Sequence, residues 1–90
     1  SPARYHPELI GILGYYQAQA AGDDAGSLRP ALQTMLLALP HMDEPRLTLA
    51  AADAHWRLGE RAEARTLVLQ VLEAAPGMEQ AEALLHRIDG

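Results

Sequence analysis

Apolar residues recur every three or four positions along most of this chain, in five successive stripes separated by short breaks. This spacing places each stripe on one side of an α-helix. Alternation with a period of two, which is typical of strands, extends nowhere beyond a few residues. The pattern therefore predicts an all-α fold of five helices, at about 7–21, 27–39, 45–58, 61–75 and 78–88.

Each stripe is expected to form the buried face of its helix. The stripe of the first helix comprises Leu9, Ile12, Leu13, Tyr16 and Ala20. The remaining four lie within 28–39, 47–58, 64–75 and 78–88. Because the 90-residue chain has no Cys, these side chains must hold the domain together without disulfides.

Gly and Pro residues mark where the helices are expected to end. Pro40 stops the second helix, and Pro76-Gly77 stops the fourth. Gly59 follows the third helix, where a left-handed residue commonly terminates a helix. Connections this short force neighbouring helices to pack antiparallel.

The expected N-terminal caps lie in the same breaks. Asp24 or Ser27 can cap the second helix, and Asp43 can cap the third, with Pro45 tolerated in its first turn.

The helix pairs repeat. Pro40 and Pro76 are 36 residues apart, and each ends the second helix of a pair. Gly22 and Gly59 are 37 residues apart, and each ends a first helix. A period of this length is typical of helix–turn–helix solenoids.

Gly59, Ala64, Val71 and Pro76 stand at spacings that resemble the tetratricopeptide repeat (TPR) family. The resemblance implies a single domain over 1–90, a right-handed solenoid of antiparallel helix–turn–helix repeats. Its units would be about 7–42 and 45–78, with a capping helix at 79–90, or about two and a half repeats. Small residues at Gly14, Ala52 and Ala64 would let paired helices approach closely.

In the TPR family the first helix of each pair lines a concave groove that receives a peptide or helix of a partner. The resemblance therefore implies an interaction module, scaffold or adaptor. The positions that correspond to the groove are Tyr15, Gln19, Arg46, Leu49, Asp53, Trp56, Arg57 and Arg87. Trp56 has two interpretations: an aromatic binding hot spot, or a core anchor of a chain with one Trp and no Phe. Leu49 and Asp53 do not suit the clamp that some family members use for a carboxylate.

The net charge of −5 argues against a nucleic-acid partner and against docking on an anionic membrane. No apolar stretch is long enough for a transmembrane helix, so no membrane insertion is expected. The Lys-free, Ala-, Leu- and Arg-rich composition is typical of a bacterium with a high genomic GC content. The start at Ser1 without a Met suggests a mature chain or a fragment; a cytoplasmic and a periplasmic location both stay open.

No catalytic residues, cofactor site or metal site are predicted, and the chain is expected not to be an enzyme. The four His residues do not form a His-Glu-x-x-His pattern, although a small metal-binding helical bundle remains an alternative function. The other alternative is self-association, to a homo-oligomer, through Leu84, Leu85 and Ile88 of the fifth helix.

Overall fold

The computed structural model describes residues 6–90 of the chain. Within them lie α1 (Pro7–Ala21), α2 (Ala25–Ala38), α3 (Pro45–Arg57), α4 (Arg61–Ala74) and α5 (Glu79–Asp89). A short 3₁₀ helix, Leu39–His41, follows α2. The prediction of an all-α fold with five helices is confirmed, and each boundary lies within two residues of the expected one.

The helices pack as sequential antiparallel pairs. The closest packing joins α1 to α2 and α3 to α4, and α5 lies against α4. The central helix α3 also contacts α1, α2 and α5. The molecule measures 47 × 29 × 18 Å, and the shortest dimension is that of two helix layers about 10 Å apart. Consequently, α3 is the element that joins the two ends of the domain.

Two hydrophobic clusters lie on opposite sides of α3. The first is formed by α1, α2 and α3 and includes Leu32, Met35 and Ala51. The second is formed by α3, α4 and α5 and includes Ala52, Ala64 and Ile88. Adjacent alanines of α3 therefore belong to different clusters. Ala52 and Ala64, the small residues expected where paired helices approach closely, are both fully buried in the second cluster.

The breaks between helices use local backbone chemistry. Gly59 has a φ of +81°, the left-handed conformation predicted for it, which L side chains rarely adopt. Asp24 is the N-cap of α2, and its carboxylate accepts a hydrogen bond from Ser27 N at 3.2 Å. The expected cap of α3, Asp43, is wrong by one residue. Glu44 is the N-cap, because its carboxylate accepts hydrogen bonds from both the backbone N and the side chain of Arg46.

A carboxylate in the turn after α3 connects three parts of the fold. Glu60 accepts a hydrogen bond from Arg29 of α2 at 2.7 Å and contacts Nδ1 of His55 of α3 at 2.8 Å. Mainly because of the bond from Arg29, and then that of His55, the pKa of Glu60 is lowered from its usual 4.5. Glu60 thereby links α2 of the first helix pair to the turn between the two helices of the second.

The predicted buried stripe of α1 is wrong, because α1 presents the opposite face to the domain. Its buried residues are Gly11, Gly14 and Ala18. The large members of the predicted stripe are exposed: Leu9 at 64%, Ile12 at 52%, Leu13 at 54% and Tyr16 at 65%. Small residues prevail on the packed face because α2 and α3 approach α1 too closely for larger side chains.

Candidate functional site

Residues of α1, α3 and α5, which alternate with α2 and α4 along the chain, line a common cleft of about 320 Å³. Six of the eight residues predicted to bind a partner lie in it: Tyr15 and Gln19 of α1, Arg46, Leu49 and Asp53 of α3, and Arg87 of α5. The same cleft is lined by Ala50, Met78, Gln80 and Leu84. We call it the central cleft.

The position of α3 between α1 and α5 creates the central cleft. Along α3, Arg46, Leu49, Ala50 and Asp53 are spaced by three and four residues and therefore share one side of the helix. Leu49 is half-buried and packs against the second hydrophobic cluster. The cleft thus combines an apolar floor with polar residues contributed by three separate helices.

The charges of the central cleft differ in whether they already have partners. Arg46 forms an ion pair with Glu44 at 3.0 Å, which lowers the pKa of Glu44 chiefly through the side-chain hydrogen bond. Asp53 forms an ion pair with Arg57 at 2.5 Å. Arg87 forms no ion pair or hydrogen bond through its side chain with any other residue of 6–90. Arg87 is therefore the charge of this cleft that is available to a ligand.

A second cleft, of about 520 Å³, adjoins the central cleft where Tyr15 and Arg46 line both. Its other residues are Glu8, Gly11, Ile12, Tyr16, Met42, Glu44 and Leu47. We call it the N-terminal cleft. It was not predicted from the sequence, although Gly11 could have indicated a place where α1 and α3 come close. Together the two clefts form a continuous concave surface with apolar and charged residues along its length.

The other two predicted site residues do not line the central cleft. Trp56 is half-buried and packs against the second cluster, which favours its interpretation as a core residue. Arg57 donates through Nη1 to the carbonyl oxygens of Gly22 at 3.1 Å and Ala18 at 3.5 Å. A cation there complements the C-terminal end of the α1 dipole, so Arg57 attaches α3 to α1.

The self-association alternative depended on side chains of α5 that prove largely buried. Leu84 and Ile88 belong to the second cluster of the domain, and Leu85 packs partly against it. Their apolar surface is covered by the chain itself, because α5 uses this face to contact α4 and α3.

Comparisons of the chain with protein-family models, curated proteins and solved structures give no match. Among residues 6–90, no three His, Cys, Asp or Glu side chains are grouped so that they could hold a metal ion. None of the helices described is both long and apolar enough to cross a membrane.

Proposed function

We propose that the chain is a TPR-like protein-interaction module that binds a peptide or helix of a partner protein in the central cleft. The observation that carries this proposal is the convergence of Tyr15, Gln19, Arg46, Leu49, Asp53 and Arg87, which come from three helices distant in sequence, on one concave surface. On this proposal the helix pairs are repeats of a right-handed solenoid, and the first helices form its concave side.

The chemistry of the cleft indicates what the partner segment carries. Leu49, Ala50 and Leu84 provide an apolar floor for a side chain such as Leu or Met. Gln19 and Gln80 have side-chain amides that form no hydrogen bond with another residue of 6–90. Arg87, which is likewise without a partner in this range, would pair with an acidic group. We therefore expect an apolar segment with a carboxylate at the α5 end of the cleft.

The test is selection of peptides from a random library on the intact chain, followed by mapping of the bound peptide by NMR chemical-shift perturbation. Leu49→Ala and Arg87→Glu should each weaken binding by about tenfold or more, the loss of ~1.4 kcal/mol or more that is common at interface hot spots. The matched controls are Leu69→Ala and Arg61→Glu, which make the same changes at exposed positions of α4. Full affinity of both cleft variants, or shifts confined to α2 and α4, would refute the proposal.

A further inference from the structure

The outward face of α1 carries the largest group of exposed apolar side chains in the part of the chain described. Leu9, Ile12, Leu13 and Tyr16 are spaced by three, one and three residues, which places them on one side of the helix. This outer stripe faces away from Gly11, Gly14 and Ala18, which pack against the domain. A helix with apolar residues on both faces is usually packed against other structure on both faces.

The partner that covers the outer stripe must bind a surface without charged residues. Residues 9–21 include no charged residue, and Glu8 is the one charge of α1. The rest of the chain is strongly acidic overall, with a net charge of −5. Two copies would therefore repel each other through most of their surface and least through this stripe.

The spacing of the outer stripe also fits a second copy related by a two-fold axis. If two α1 helices pack antiparallel about a point between Ile12 and Leu13, Leu9 faces Tyr16 of the second copy, and Ile12 faces its Leu13. Every large side chain of the stripe then meets another. The two Glu8 carboxylates lie nine residues apart along the axis, about 13 Å, which exceeds the Debye length of ~8 Å at physiological salt.

The contact between two outer stripes would bury a small area. Four side chains that are more than half exposed would bury roughly 400 Å² per copy, or about 800 Å² in total. This value lies in the range of weak, reversible contacts rather than of permanent dimers.

We propose that α1 is a homodimerisation helix, and that two copies of the chain associate reversibly through an antiparallel, two-fold contact of the outer stripe. We expect the association to be weak, because the contact area lies below that of standard stable interfaces. This inference does not depend on the proposed function, because none of the four stripe residues lines the central cleft. Ile12 and Tyr16 do line the adjoining N-terminal cleft, which the second copy would therefore partly cover.

Sedimentation velocity of the chain from ~5 to ~500 µM tests the proposal, since a weak dimer forms only at the higher concentrations of such a series. The wild type should change from monomer to dimer across the series, while Leu13→Glu and Leu9→Glu should stay monomeric with unchanged helical circular dichroism. Leu69→Glu, at an exposed apolar position of α4, is the matched control and should dimerise as the wild type does. A wild type that is monomeric at ~500 µM, or equal dissociation by the control, would overturn the proposal.

The geometry is tested by cysteine cross-linking, which is unambiguous because the chain has no Cys. An equimolar mixture of Leu9→Cys and Tyr16→Cys chains should form the mixed disulfide dimer in preference to either homodimer. Preferential Leu9→Cys homodimers would indicate a parallel arrangement and overturn the antiparallel contact. Peptide binding in the central cleft should be retained by Leu13→Glu, so failure of either proposal can be distinguished from failure of the other.

Discussion

Gly14 lies where α1 and α2 come closest together. A Cβ atom at this position would stand 2.8 Å from Cγ and 2.9 Å from the backbone N of Met35. Met35 is fully buried, and its backbone is part of α2, so neither atom can move without shifting the helix. The absence of a side chain at Gly14 is therefore what allows this pair of helices to form.

We expect Gly14→Ala to lower the free energy of unfolding by up to ~2 kcal/mol, because overpacking costs about 1–3 kcal/mol and the gain in helix propensity returns ~1 kcal/mol of it. The control is Gly26→Ala in the first turn of α2, where the nearest atom to a Cβ is the Asp24 carboxylate at 3.8 Å. This variant should be neutral or stabilising by up to ~1 kcal/mol. Urea unfolding followed by circular dichroism measures both, and equal stability of the two variants would contradict the close contact.

At the scale of elements, Glu60 connects α2, α3 and the start of α4 through Arg29 and His55. Because its pKa is lowered in the folded chain, its ionised form is favoured by folding. The stabilisation is complete above the unfolded pKa near 4.5 and is lost as the pH falls through the lower folded value.

Glu60→Gln should therefore lower the midpoint of thermal unfolding at pH 7, by a small amount because the pair is partly exposed. When the pH is lowered from 7 to about 3, the difference in unfolding midpoint between variant and wild type should decrease, since more of the wild-type carboxylate is protonated at the lower pH. Glu63→Gln, at an exposed position of α4, is the control and should differ little from the wild type at either pH. If the difference in unfolding midpoint between Glu60→Gln and the wild type does not change with pH, the charge of Glu60 does not contribute to stability.

At the scale of the whole molecule, the two hydrophobic clusters share the helix α3, which contributes Ala51 and Ala54 to one and Ala52 to the other. If α3 detaches, the buried residues of both clusters become exposed to water. The structure therefore predicts that the domain unfolds in one cooperative transition rather than as two separate helix pairs.

Trp56 reports on the second cluster alone, because it is the single Trp of the chain and packs against that cluster. We expect its fluorescence and the far-UV circular dichroism to change at the same urea concentration. Met35→Ala, which removes a buried side chain from the first cluster, should lower both midpoints equally, with a loss of about 2–5 kcal/mol. If the fluorescence midpoint of Met35→Ala stays at the wild-type value, the two clusters unfold independently.

The sequence by itself determined the number, the bounds and most of the packing faces of the helices. These features depend on signals within one helix: apolar periodicity, the cap at Asp24 and the left-handed Gly59. In α2, α4 and α5, most large apolar residues form one stripe per helix, so periodicity was sufficient to predict most of their buried residues. Of the eight positions that the resemblance to the TPR family assigned to a groove, six line the central cleft.

Only the tertiary structure decided which face of α1 is buried and what Trp56 and Arg57 contact. The sequence of α1 offers a stripe of large apolar residues and a stripe of small ones, and the choice depends on how closely α2 and α3 approach. Similarly, Arg57 donates to carbonyl groups of α1 and its C-cap that lie 39 and 35 residues away. Local periodicity specifies which side chains share a face, whereas burial depends on partners distant in sequence, and for this reason only the assembled helices settled these positions.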